Sequence, residues 1–230
     1  MLGGQLEAPA AEAGGVPPAE TQVLSDEWKL SRWAYVTEPG TVRAGPDPYS
    51  EAVGRLRTRT QDGTPELVLA LSEVSSADGA WVKVRFTSRP NGDPGWIPRR
   101  SLSAFQEVTT LLRITRARYR AVLYRDGRRV WSAPIGIGRP EAPTPRGRFY
   151  VRERLVPPQR GTIYGIFAFG TSATSPTLSD WPGGGVIGIH GTNQPRLIPG
   201  RISHGCIRIR NPRINKLRRL MPLGTPIVIE

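Results

Sequence analysis

Apolar residues in this chain come in short runs, and turn-forming residues separate the runs. Trp33–Val36 and Leu67–Leu71 are continuous apolar stretches of strand length. Trp81-Val-Lys-Val-Arg-Phe86 alternates, with Val82, Val84 and Phe86 on one face and Trp81, Lys83 and Arg85 on the other. Period-two alternation of this kind predicts a half-buried strand. Further strands are expected at Leu111–Ile114, Ala121–Tyr124, Arg128–Trp131, Ile135–Gly138, Gly147–Val151, Ile163–Phe169, Val186–Ile189, Cys206–Ile209 and Pro226–Ile229. Asp126-Gly127 falls between two of these runs, and Asp-Gly is the pair that a tight hairpin turn favours. A single helix is predicted after residue 210: Asn211 is suited to the N-cap, Pro212 to the first turn, and Ile214, Leu217 and Leu220 form an apolar stripe that Pro222 ends. The pattern is mainly β, with a small barrel of short strands in the first half and a β-sandwich with one short helix in the second.

Composition supports that reading. There are 26 glycines and 23 prolines in 230 residues, which suits many turns better than long helices. Through residue 25 the chain is rich in Ala, Gly, Pro and Glu, too poor in apolar surface to order itself, so residues 1–25 are expected to be a disordered segment. The same stretch lacks the basic start and apolar centre of a signal peptide. Ordered structure is expected to begin near Trp28, and a boundary near Ser101–Val108 divides a unit spanning 26–107 from one spanning 108–230.

The net charge of +13 fits either a solvated arginine-rich surface or an anionic partner such as a cell-wall polymer, a membrane surface or nucleic acid. The basic residues are scattered, with one cluster at Arg213, Lys216, Arg218 and Arg219. No aromatic-plus-basic pattern of a nucleic-acid binder accompanies them, and no nucleic-acid partner is expected. No apolar run approaches the length of a membrane span.

Charge matters less than the placement of three residues. Both histidines and the only cysteine, His190, His204 and Cys206, lie within one short stretch. A thiol becomes a strong nucleophile as thiolate, and a nearby imidazole can take its proton. Gly205 allows the backbone to turn sharply before Cys206, so that N–H groups of His204, Gly205 and Cys206 could face one oxyanion. Spacing leaves both His190 and His204 open as the base. The same three side chains could be zinc ligands, but their spacing matches no common zinc pattern, and neither a metal nor an organic cofactor is expected. Gly183–Gly188 fits a G-x-G-x-x-G string, yet a strand follows it where a dinucleotide fold needs a helix. Gly170–Pro182 reads as a surface loop or a lid.

Two resemblances extend this. Val42-Arg-Ala-Gly-Pro46, Val53-Gly54, Trp81–Val84 and Gly95-Trp-Ile97 resemble a bacterial SH3-like domain, which implies a wall-binding module or a spacer; the insertion Thr58–Glu66 departs from its compact pattern. Residues 108–230 resemble a YkuD-type L,D-transpeptidase catalytic domain. The matching pieces are Thr144-Pro-Arg-Gly-Arg-Phe149, His190-Gly-Thr192, Ser203-His-Gly-Cys-Ile-Arg208 and Asn211. The resemblance implies Cys206 as nucleophile and His190 as base, with the Gly191 carbonyl orienting that base. It implies that His204 and Gly205 shape the oxyanion site through their backbone, and that Ser203 and Arg208 line the substrate groove. It further implies an exported enzyme acting on peptidoglycan stem peptides, acylated by carbapenems. The same site would be an L,D-carboxypeptidase with water as acceptor, and an inert version would be a wall-binding protein.

Overall fold

The computed structural model describes residues 21–76, 79–157, 161–178 and 185–230. The first half comprises β1 (Thr21–Val23), β2 (Ser31–Tyr35), β3 (Gly40–Arg43), β4 (Ala52–Leu56), β5 (Leu67–Ser76), β6 (Gly79–Arg85), β7 (Gly95–Pro98) and β8 (Gln106–Val108). They form one antiparallel sheet in the order β4-β3-β7-β6-β5-β2-β8, with β1 added to β5. Ordered structure therefore begins before Trp28: Thr21–Val23 pairs with Ser72–Val74, and Leu24 is buried. The expected disorder holds for neither this strand nor Leu24, because β5 offers a free edge and an apolar pocket; residues 1–20 lie outside the described residues. The alternation at Trp81–Phe86 is realised in β6, where Val82 and Val84 are fully buried in a core with Val42, Val68 and Ile97.

The second half comprises β9 (Thr110–Thr115), β10 (Arg120–Arg125), β11 (Arg128–Pro134), β12 (Gly136–Gly138), β13 (Gly147–Leu155), β14 (Ala168–Thr174), β15 (Val186–His190), β16 (Gly200–Ser203), β17 (Ile207–Arg208), α1 (Asn211–Leu220) and β18 (Pro226–Ile229). The strand order is β11-β10-β9-β18-β13-β14-β15-β17-β12-β16. Long β13 joins the two halves of this array, pairing with β18 at Gly147–Tyr150 and with β14 at Val151–Leu155. The two sheet halves and α1 enclose an apolar core that includes Leu112, Leu123, Phe169, Ile189, Ile207 and Leu217. Asp126 and Gly127 have φ of 51° and 72° and join β10 to β11, the two positive φ values that such a hairpin turn needs.

Two local expectations shift. Tyr164, Gly165 and Ile166 form a turn, and the strand expected at Ile163–Phe169 instead runs from Ala168 to Thr174. Gly170–Thr174 is consequently a buried strand, not part of a surface loop or lid. Arg210 rather than Asn211 occupies the N-cap of α1, without a side-chain cap.

The two halves share a third apolar cluster of Trp33, Leu67, Leu69, Val108 and Tyr150. The Tyr150 hydroxyl donates to the Leu67 carbonyl across the junction at 2.9 Å, and burial raises its pKa far above the ordinary phenol value. The Thr58–Glu66 insertion has a structural use here. Thr60 and Thr64 donate to Glu153 at 3.2 and 2.9 Å, and Glu66 lies 3.6 Å from Arg152.

Candidate active site

The site is built by the register of β15 on its parallel neighbour β17. Ile189 pairs with Ile207 and His190 with Arg208, and the Ile209 N–H donates to the His190 carbonyl at 2.8 Å. Side chains alternate along a strand, and paired residues project to the same side. Ile187, Ile189, Ile207 and Ile209 all face the core, at most 1% exposed. The intervening set, Gly188, His190, Cys206 and Arg208, therefore shares the opposite face. The apolar pattern of these two strands is what puts His190 and Cys206 on one face.

Gly188 occupies the space between them. A methyl group there would lie 3.7 Å from Cδ2 of His190 and 3.8 Å from Sγ of Cys206, and the Gly188 N–H donates to Sγ at 3.4 Å. This residue escaped the sequence reading. Its signal was a glycine inside a strand, which marks close approach of another group.

His190 is 2% exposed. Its Nδ1 lies 2.7 Å from the Gly191 carbonyl; a carbonyl only accepts, so Nδ1 carries the proton and Nε2 offers its lone pair. Burial lowers the imidazole pKa to about 4, so it is neutral at neutral pH. Tyr164 packs edge-on against the ring, 5.0 Å between centroids. The Gly191 carbonyl is aimed by a second unforeseen contact: the Asn211 side chain accepts from the Thr192 N–H at 3.0 Å. Asn211 is spared from capping its own helix and instead holds the loop after His190.

Cys206 is half-buried, and burial raises its thiol pKa, opposed by the Gly188 N–H. The turn before it is built by Ser203, whose hydroxyl donates to the Cys206 carbonyl at 2.5 Å and accepts from the Gly205 N–H at 3.2 Å. The Gly205 N–H is thereby engaged by Ser203. Gly205 has φ of 116°, where a side chain would be strained and would meet Ile187. Thr144 donates to the Gly205 carbonyl at 2.7 Å, which gives the Thr144–Phe149 motif a role in holding the turn.

His204, the nearer histidine in sequence, is exposed at the rim, while buried His190 sits beside the thiol's strand. Among the described residues, no three His, Cys, Asp or Glu side chains gather as a metal-ion set. Arg208 is buried, and one of its terminal nitrogens donates to Gln194 at 3.0 Å. Its Nε is buried and has no partner among the described residues. The pocket itself is lined by these residues with Tyr164, Ser175, Leu178 and Val186. The Gly183–Gly188 string falls partly outside the described residues; its described end is the start of β15.

The chain is similar to known proteins. The family model YkuD, described as the L,D-transpeptidase catalytic domain, matches residues 109–229. The YkuD protein of Bacillus licheniformis is 34% identical over 107 residues, covering 46% of this chain and 57% of that protein. The YqjB protein of Bacillus subtilis is 30% identical over 104 residues, covering 41% and 56%. The chain thus spans about half the length of the curated relatives it matches. Among solved structures, the catalytic domain of the Enterococcus faecium L,D-transpeptidase is 25% identical with a TM-score of 0.39, covering 54% of this chain and 96% of that one. An L,D-transpeptidase from Mycobacterium tuberculosis is 15% identical with a TM-score of 0.46, covering 85% and 99%. No described helix is long and apolar enough to cross a membrane.

Proposed function

Because the chain belongs to the YkuD family of L,D-transpeptidase catalytic domains, we propose that it is a cysteine-dependent peptidoglycan L,D-transpeptidase in which Cys206 is the nucleophile and His190 the base. One observation carries the reading: Gly188, His190, Cys206 and Arg208 share one strand face, with the His190 ring held by the Gly191 carbonyl.

In this mechanism Sγ of Cys206 attacks the carbonyl carbon at the L-centre of the diamino acid in a tetrapeptide stem. The thiol proton passes to Nε2 of His190. The oxyanion that forms is met by backbone N–H groups at His204 and Cys206, since Ser203 engages that of Gly205. Collapse breaks the peptide bond, the amine of terminal D-alanine leaves with the proton from His190, and a thioester remains. An acceptor amine then attacks the thioester, His190 takes its proton and returns it to the departing sulfur, and the cross-link is complete. With water as the second nucleophile the same steps give an L,D-carboxypeptidase. Arg208, which lines the pocket, suits a carboxylate of the stem, because a guanidinium matches that geometry. The reading places the protein outside the cytoplasm, in the cell envelope, where a positive net charge favours anionic wall polymer. It includes 26–107 as an SH3-like module, supported by an antiparallel sheet of short strands.

Intact mass after exposure to a carbapenem tests the nucleophile. A single adduct on the wild type and none on Cys206→Ala is expected, together with loss of tetrapeptide turnover in the same variant. An unmodified wild type would leave a non-catalytic wall-binding role in its place. His190→Ala should abolish acylation and His204→Ala should retain most of it; the reverse result would move the base to His204.

A further inference from the structure

A second cavity opens between the two halves, beside the catalytic pocket, with a volume of about 300 Å³. That is at the small end of ligand sites, roughly 300–1,000 Å³. Its walls are mostly basic: Arg55, Arg57, Arg59 and Arg89 come from the first half and Arg152 from the second, with one carboxylate, Glu66. Arg152 is already matched by Glu66 and Glu153. Among the described residues, no carboxylate pairs with Arg55, Arg57 or Arg59; Arg59 donates only to the Gly63 carbonyl.

The sequence explains the concentration. Arg55-Leu-Arg-Thr-Arg59 puts a guanidinium at every second position, as β4 runs out into the insertion, while Leu56 is buried on the other side. All three line the cavity, Arg55 from β4 and Arg57 and Arg59 from the stretch that follows it. Like charges crowded at one cavity repel, a cost that an anionic ligand removes.

The cavity is connected to the chemistry. Val186 lines both it and the catalytic pocket. Val186 starts β15 and His190 ends it, a separation of about 13 Å at the rise of an extended strand. The adjoining wall is fixed by the loop between β6 and β7. Asn91 makes two 2.7 Å hydrogen bonds with the Thr174 backbone, as an added strand residue would, and Arg89 donates to the Ser175 carbonyl at 3.2 Å. Ser175 in turn lines the catalytic pocket.

We propose that this cavity is a carboxylate-binding subsite, which holds an acidic group of a peptide stem at a distance from the carbonyl reacting at Cys206. It rests on the transpeptidase reading above and adds a substrate preference to it: stems with free side-chain carboxylates are favoured over carboxamide forms. Guanidinium pairs with carboxylate in a two-point geometry, and the first half of the chain becomes part of the substrate site.

The test is a titration of Cys206→Ala protein, which cannot turn over, with a tetrapeptide stem and with its side-chain carboxamide counterpart. Arg55 and Arg57 are exposed, so Arg55→Gln/Arg57→Gln in that background should stay folded, as thermal unfolding will show. The expected result is a loss of about fivefold or more in affinity for the carboxylate peptide, steeper at low salt, with the carboxamide peptide unchanged. Equal affinities before and after substitution, or equal losses for both peptides, overturn the subsite. So does a loss confined to a phosphodiester polymer such as polyglycerol phosphate. Carbapenem acylation of Arg55→Gln/Arg57→Gln with Cys206 intact should match the wild type; failure of the wild type to acylate would sink the transpeptidase reading, while the titration still decides the subsite.

Discussion

His190 and Cys206 are each held in their uncharged form by the same cause. Burial lowers the imidazole to about 4 and raises the thiol, so the resting pair is thiol and neutral imidazole, and charge develops only as the thiol proton moves. A consequence for stability follows from the histidine. Its ordinary pKa of 6.5 applies to the unfolded chain, which therefore takes up a proton at a higher pH than the folded one does. The contribution is full above about pH 6.5 and is lost progressively as pH falls toward and through 4, the whole loss amounting to ~3 kcal/mol at most. Urea unfolding of the wild type between pH 7 and 4 should show this decline, and His190→Gln should flatten it. A slope unchanged by the substitution would mean that His190 is not the group that resists protonation. Sequence made the reactive residues legible because His and Cys are rare and chemically distinctive. Spacing alone could not separate His190 from His204, because the difference between them, one buried and one exposed, arises only in the fold.

At the level of elements, the strands were legible wherever local pattern decides them. Trp81–Phe86 alternates, and Asp126-Gly127 forces a hairpin. The pairing of β15 with β17 was not legible, since the partners lie apart in sequence and the register is set by four isoleucines packing into a shared core. For the same reason Asn211 was misread: a residue suited to an N-cap locally is drawn by tertiary context to the Thr192 N–H. Gly188 is the element-scale position with the sharpest consequence. Gly188→Ala would place a methyl in contact with both Cδ2 of His190 and Sγ of Cys206, at distances of ordinary van der Waals contact. The fold should tolerate it, because Gly188 is an ordinary extended residue paired with Gly170. Proton transfer and substrate approach should not. Carbapenem acylation is expected to slow by about 100-fold with the melting temperature within a few degrees of wild type, a separation in keeping with the sensitivity of catalysis to small misplacements. Acylation at the wild-type rate would show that the open space between His190 and Cys206 is not needed.

The whole molecule depends on a contact that neither half of the sequence announces. Gly224 approaches Trp33 so closely that an added Cβ would lie 2.0 Å from the indole Cδ1, and its φ is 73°. Two penalties would therefore combine in Gly224→Ala. A left-handed backbone costs a non-glycine residue about 1 kcal/mol, and displacing a buried indole from its packing costs roughly 1–3 kcal/mol more. The indole cannot move freely, because Trp33 shares the junction cluster with Leu67, Leu69 and Tyr150. Gly224→Ala should therefore lower the unfolding free energy by about 3 kcal/mol, measured by denaturant titration. Trp33→Ala removes the obstacle at its own cost in buried area, so in that background the same glycine substitution should cost only the backbone share, about 1 kcal/mol. Additive losses in the double variant would mean that the two residues do not meet. A coupled result would establish that the first sheet is packed onto the catalytic half in solution, the arrangement on which both the Asn91 clamp at Thr174 and the basic cavity beside Val186 depend.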